Sequence, residues 1–349
     1  MKTDMTTYGL NGIFFAYAAE YPQYNPGRVL SQEKGLYRII TEEGEQLAEV
    51  SGKFRYNAQT ISDFPAVGDF VMTENGNGGH SIIHHVLPRK SVFIRKAAGT
   101  GNNEQVVAAN IDTVFICMSL NNDFNLRRLE RYLSIAWDSG AVPVVVLTKA
   151  DLCEDTEEKL RETEAAAIGA DVILTSSIEK DGYEKLLPYI KKGQTAALIG
   201  SSGVGKSTMI NHLIGENIIE TNGLRNDDKG RHTTTHRELI LLEGGGMVID
   251  TPGMRELGMW DSSEGLGITF ADIEALTLKC RFSNCTHGNE PGCAVRAAID
   301  SGELSEERWQ SYQKLIQENA YAEDSESYLA AKEKKFKDIA KYQKSLKKR

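Results

Sequence analysis

No apolar run in the 349 residues approaches the roughly 18 needed to cross a bilayer, and residues 1–7 lack the basic start and apolar stretch of a secretion signal. A spanning or exported protein is thereby disfavoured, and a cytoplasmic protein that engages no membrane is expected. Cysteine is scarce and odd in number: there are five, with Cys117 and Cys153 isolated and Cys280, Cys285 and Cys293 bunched beside His287. That excludes a framework of paired disulfides and points to a metal site instead. Repeats and low-complexity tracts are absent as well. What is present is ordinary globular composition, 40% hydrophobic and 26% charged, which excludes wholesale disorder and collagen-like structure.

The length suits two or three compact units. Basic residues number 40 against 49 acidic ones, a net charge of -9. The total hides its distribution, because residues 332–349 carry nine Lys or Arg and two acidic residues, a net +7, leaving -16 for the rest. Acidic composition is therefore no argument against nucleic acid.

Along the first ninety or so residues, short strand-like segments at 35–40, 46–54, 67–72 and 81–95, the last breaking near Pro88, alternate with turns such as 74–79. A small β-barrel is expected, of the five-stranded oligonucleotide-binding type by length and spacing, although another small barrel fits the same pattern. Residues 98–103 read as a linker. Beyond them, apolar runs at 114–118, 142–147, 172–174 and 196–199 alternate with helical patterns at 126–139, 157–168 and 183–192. Such alternation implies a mainly parallel sheet covered by helices, with ligands at the strands' carboxyl ends. After about residue 265 come the Cys/His cluster and a charged helical stretch at 303–349. The expected division is a barrel at 1–97, an α/β nucleotide-binding domain at 98–265, and a helical metal-binding domain with a basic tail at 266–349.

Gly200-Ser201-Ser202-Gly203-Val204-Gly205-Lys206-Ser207 follows one of the apolar runs and precedes the helical Thr208 and its successors. This is the Walker A pattern in the strand-to-helix setting it requires. Its glycines let backbone N–H groups turn toward phosphate oxygens, and the helix dipole adds attraction for the anion. Lys206 would reach the β and γ phosphates, and Ser207 would ligate Mg²⁺. Residues 247–253, Met-Val-Ile-Asp-Thr-Pro-Gly, supply a strand ending in Asp-x-x-Gly. Asp250 then serves the same Mg²⁺, and the Gly253 amide approaches the γ-phosphate because no Cβ blocks it. Between the two lies Gly230-Arg231-His232-Thr233-Thr234-Thr235, where a threonine hydroxyl can complete the metal shell. Spacing does not decide which threonine; Thr234 is favoured.

Thr148-Lys149-Ala150-Asp151, at the end of the run 142–147, approximates the guanine-reading Asn-Lys-x-Asp. An ionised Asp151 accepts from the N1–H and N2–H₂ of guanine, a donor pair adenine does not present, while the Lys149 stem packs on the ring. Thr148 departs from Asn and is expected to give up an amide tie between the loops. Ser176 and Ser177, after a short strand, suit a second guanine-contacting loop. The base-reading motifs come before the phosphate loop, the reverse of the ordinary GTPase order, as a circular permutation would leave them.

In this combination the chain resembles the RsgA (YjeQ) family of circularly permuted GTPases that depend on the small ribosomal subunit. The resemblance rests on the segment Ala66-Val67-Gly68-Asp69-Phe70-Val71, the order of motifs from Thr-Lys-Ala-Asp to Asp-Thr-Pro-Gly, and the Cys/His cluster. It implies an N-terminal oligonucleotide-binding barrel, a GTPase core and a zinc-bearing C-terminal domain. The implied activity is hydrolysis of GTP to GDP and phosphate, stimulated by the small (30S) subunit late in its assembly, so as to time release from it.

Met254 stands where many GTPases carry a water-orienting Gln after Asp-x-x-Gly, so intrinsic turnover is expected to be slow. His232 is the candidate for the missing role, and the resemblance points to it; the competing reading is a solvent-facing loop histidine. Cys280, Cys285, His287 and Cys293 offer three thiolates and an imidazole, a closed tetrahedral set for structural zinc, against buried or redox-active thiols as the other reading. The resemblance favours zinc. The lysine-rich tail suits salt-dependent contacts with 16S rRNA phosphates, and Lys53, Arg55 and Tyr56 are barrel candidates for RNA by fold analogy only. A monomer is expected.

Overall fold

The structure is a computed structural model and describes residues 2–33, 35–76, 80–96, 104–177, 182–215, 237–250, 263–288 and 290–323. Two compact units emerge from internal packing, Met1–Gly258 and Met259–Arg349. Among the described residues no helix is long and apolar enough to cross a membrane.

In the first unit, α1 (Ile13–Ala19) precedes five strands: β1 (Asn25–Glu33), β2 (Leu36–Thr41), β3 (Gly44–Val50), β4 (Phe70–Asn75) and β5 (His80–Val86). Strand β1 pairs antiparallel with both β2 and β4, and β5 joins β4 to β3, running parallel to β3. The result is a closed five-stranded barrel with the expected oligonucleotide-binding connectivity. Val29, Tyr37, Ile39, Ala48, Val71 and Ile83 alternate inward to fill it.

Two features of this half depart from expectation. Strand β1 was hidden by Pro26 and Gly27, residues that weaken a strand signal yet are tolerated near a strand's start. The expected strand 46–54 stops at Val50, because the Ser51 hydroxyl accepts from Phe54 N–H and caps α2 (Gly52–Asn57). Pro88 splits 81–95 as expected, and the second piece, β6 (Val92–Lys96), pairs with β7 (Glu104–Ala109). The expected linker, 98–103, lies outside the described residues.

Strands β8 (Thr113–Ser119), β9 (Val142–Thr148), β10 (Asp171–Leu174), β11 (Thr195–Gly200), β12 (Glu238–Leu241) and β13 (Met247–Asp250) form a sheet in the order β10-β9-β8-β11-β13-β12. All pairs are parallel except β12 with β13. Val114, Phe115, Val145, Val146, Ala197 and Ile199 are essentially inaccessible, the burial on both faces that continuous apolar runs encode. Helix α3 (Leu126–Asp138) turns Leu129, Leu133 and Ala136 inward and starts where the Asn125 side chain accepts from Arg128 N–H at 3.0 Å. Helices α4 (Thr156–Ala166) and α5 (Lys206–Ile214) appear at their expected places. The expected helix at 183–192 is instead a short 3-10 segment, Glu184–Tyr189, since Pro188 has no N–H to continue an α-helical ladder.

After β10 the chain returns to lay β11 on the other side of β8, so the carboxyl ends of β8 and β11 mark the topological switch point. At its far edge β12 meets barrel strand β1, with Ser31 opposite Glu238, and the sheet runs on into the barrel.

The second unit holds α6 (Ser263–Thr269), α7 (Ala271–Thr277), α8 (Ala294–Ser301) and α9 (Glu306–Glu323) around Phe270, Ile273, Val295, Trp309 and Leu315. Arg308 forks onto Asp272 with both contacts at 2.8 Å. The expected helical stretch is seen over α9; residues 324–349, including the basic tail, lie outside the described residues.

Candidate functional site

The phosphate loop spans the turn from β11 into α5. Gly200 takes φ +143°, and a Cβ there would stand 2.3 Å from the Cys117 carbonyl oxygen of β8, so only glycine lets the loop leave the sheet at this point. Gly205, at φ +103°, starts α5 in the left-handed region. Val204 is buried in the apolar core and anchors the loop's middle, while Ser201, Ser202, Lys206 and Ser207 are half-buried and Gly203 and Thr208 exposed. Lys206 Nζ donates to the carbonyls of Gly200 at 2.8 Å and Ser201 at 2.6 Å, which holds the ammonium over the loop. Burial pushes the neighbouring Cys117 thiol up to about 12, so it stays neutral there.

The base-reading residues converge on the same end of the sheet. Thr148 Oγ1 donates to the Val204 carbonyl at 2.7 Å and is buried. The tie that Thr148 was expected to lack is therefore made by a hydroxyl, linking β9 directly to the phosphate loop. Lys149 adopts a left-handed φ of 59°, which turns the chain into the short 3-10 segment carrying Asp151. That turn is clamped to the neighbouring loop: Ala150 N–H donates to Thr175 O, Thr175 N–H donates to Leu147 O, and the Ser176 hydroxyl donates to Asp151. Asp151 and Ser177 are exposed, with Ser176 buried beneath them.

Asp250 ends β13, half-buried, one strand away from the phosphate-loop strand. Ser207 in the first turn of α5 and Asp250 at the end of β13 offer a hydroxyl and a carboxylate, hard oxygen donors of the kind that suits magnesium. His232, Thr234, Gly253 and Met254 lie outside the described residues.

Sequence reading missed Arg28, whose side chain is 1% exposed. From barrel strand β1 it donates to the carbonyls of Gly68 at 3.2 Å, Tyr8 at 2.6 Å and Asn110 at 3.3 Å, and to Thr195 Oγ1 at 2.8 Å, at the foot of β11. Burial depresses the guanidinium to about 10, against support from Asp112 and Asp69. Lys53, Arg55 and Tyr56 sit exposed on α2 rather than on a strand.

In the second unit, Cys280, Cys285, His287 and Cys293 bring their ligand atoms within 4.8 Å of one another. Cys280 and Cys293 sulfurs stand 3.5 and 3.6 Å from His287 Nδ1 and 4.0 Å from each other. A tetrahedron with zinc–sulfur bonds of about 2.3 Å has edges of about 3.8 Å, so the set fits zinc, and four protein donors leave no open position for catalysis. Burial alone would raise the Cys280 thiol, but the N–H groups of Ala294 and Val295 outweigh it and hold it below its ordinary value. Cys293 caps α8, and Trp309 of α9 packs edge-on against His287 at 5.5 Å, so the cluster is built into the helical core.

A family model described as RsgA GTPase matches residues 86–260. A curated protein of Lactiplantibacillus plantarum, "Small ribosomal subunit biogenesis GTPase RsgA 2", is 49% identical over 92% of this chain and 91% of its own. One from Opitutus terrae, named as a small ribosomal subunit biogenesis GTPase, is 45% identical over 89% of this chain and 87% of its own. Among solved structures, YjeQ from Thermotoga maritima is similar with a TM-score of 0.63 and 29% identity, over 84% of this chain and 98% of that one. YloQ, described as a circularly permuted GTPase, is similar with a TM-score of 0.61 and 28% identity, over 86% and 96%.

Proposed function

The chain belongs to the RsgA GTPase family, and from that premise we propose that it hydrolyses GTP to GDP and phosphate while bound to the small ribosomal subunit, late in that subunit's biogenesis. The observation that carries this is the hydroxyl tie between Thr148 and Val204, which makes one pocket of a base-reading loop and a phosphate loop that stand 56 residues apart. Lys149, Asp151, Ser176 and Ser177 take the guanine. Residues 200–208 wrap the phosphates, with Lys206 donating to β- and γ-oxygens. Ser207, Thr234 and Asp250 would hold magnesium, which when bound neutralises charge on the phosphate oxygens. Gly253 N–H approaches the γ-phosphate, and His232 orients the attacking water in place of a glutamine.

Three modules divide the work: the barrel of 1–97 and the basic tail touch 16S rRNA, 98–265 turns over GTP, and the zinc-braced helices of 266–349 present the tail. The chain acts as a cytoplasmic monomer without a membrane partner. Steady-state GTP turnover with and without purified small subunits tests the proposal. A rise of roughly 10³-fold or more with subunits is expected, the scale that supplied positioning groups provide. An unchanged rate overturns it.

A further inference from the structure

Four residues form a single row across the joined sheet. Arg38 on β2 pairs with Ser31 on β1, Ser31 with Glu238 on β12, and Glu238 with Asp250 at the end of β13. Directly opposed residues leave a sheet on the same face, with Cβ atoms about 4.5–5.5 Å apart across an antiparallel pair. The burial pattern agrees: all four are half-buried, whereas their chain neighbours Leu30, Leu239 and Ile249 are buried on the other face. Arg38 reaches over Ser31 and pairs with the Glu238 carboxylate, while its Nε lies 3.5 Å from Glu45. A barrel side chain thus meets a carboxylate that is next in line to Asp250.

We propose that Arg38 and Glu238 are positioning residues for the magnesium site, setting the charge that Asp250 feels from across the strand. The inference rests on the reading of Asp250 as a magnesium ligand. With Arg38 in place, Glu238 is neutralised and adds little to the pull on a cation. Without Arg38, a second carboxylate stands uncompensated beside Asp250 and strengthens that pull. Without Glu238, the Arg38 guanidinium keeps only Glu45, on the far side of β2, as a partner, and the row beside Asp250 has lost a negative charge, which weakens the pull. At the effective dielectric of a half-exposed site, one such charge changes cation affinity about three- to tenfold.

The test is a free-Mg²⁺ titration of binding of a fluorescent, non-hydrolysable GTP analogue to the full chain, without subunits. Arg38→Gln is expected to lower the half-saturating Mg²⁺ about three- to tenfold, Glu238→Gln to raise it by a similar factor, and the double variant to return close to the parent value. Structural damage does not produce opposite shifts that cancel, so two single variants moving in the same direction, or neither moving, overturns the proposal. Asp250→Asn separates it from its premise. A Mg²⁺ requirement unchanged by Asp250→Asn sinks the ligand assignment itself, whereas a raised requirement there, with no opposite shifts in the two single variants, sinks only the charge row.

Discussion

Thr148 occupies the position where a larger amide was expected, and its hydroxyl spans to Val204 O with nothing to spare. Thr148→Val keeps the volume and removes the donor, which leaves a buried carbonyl unpaired at a cost of about 1–3 kcal/mol. Chemical denaturation should register that loss, and GTP affinity should fall roughly tenfold because the phosphate loop is no longer pinned to the base-reading loop; Thr148→Ser should retain most of both. Asp151 raises a different question, since it is exposed and held by Ser176 rather than by packing. Asp151→Asn presents guanine N1–H with an amide in place of a carboxylate. Charge-assisted hydrogen bonds are worth about 1.5–3 kcal/mol, so GTP affinity should drop roughly 10- to 100-fold in competition assays while ATP affinity barely changes. Equal losses for both nucleotides would remove Asp151 from base selection.

At the level of elements, the zinc knuckle owes its shape to a carboxylate that sequence reading passed over. Glu290 accepts from the Thr286 hydroxyl and N–H and from Gly288 N–H, and these bonds hold its carboxyl at about 2, well below its ordinary 4.5. A depressed carboxylate contributes its full share above the ordinary value and loses it as pH falls through about 2, so at neutral pH the turn that presents His287 is intact. Glu290→Gln should release zinc to a chromophoric chelator faster at pH 7, with a loss of affinity of about 10- to 100-fold, and Cys285→Ser should leave less than one zinc per chain. A Glu290→Gln protein that holds zinc like the parent would reduce the turn to decoration. Elements whose burial comes from local pattern were legible: the parallel strands read as apolar runs, and the phosphate loop as glycines that its geometry demands. Elements decided by one local breaker or cap were not, as β1 with Pro26, α2 with Ser51 and the 3-10 turn with Pro188 show. Arg28 was illegible for another reason, because an arginine in a sequence is ordinarily a surface residue and only tertiary structure supplies acceptors enough to bury it.

For the first unit as a whole, the question is what makes a barrel and a parallel sheet one body. Backbone pairing supplies little, since Ser31 and Glu238 are the one register pair between β1 and β12 among the described residues. Arg28 supplies more, because its donors reach the N-terminal segment at Tyr8, the barrel at Gly68, the approach to β8 at Asn110 and the foot of the phosphate-loop strand at Thr195. Arg28→Lys keeps the charge but replaces a planar fork with a compact ammonium that cannot serve four acceptors spread around it, at a cost of about 2–4 kcal/mol. That cost should fall on the junction rather than on either half. Amide hydrogen exchange should therefore quicken at Gly68, Asn110 and Asp112, where backbone bonds to Val29, Ser91 and Thr195 close the joint, and stay at the parent rate in the barrel interior around Ile39 and Ile83. Exchange that quickened throughout the barrel would instead make Arg28 a barrel core residue, and the union of the two halves would have to come from the strand pairing alone.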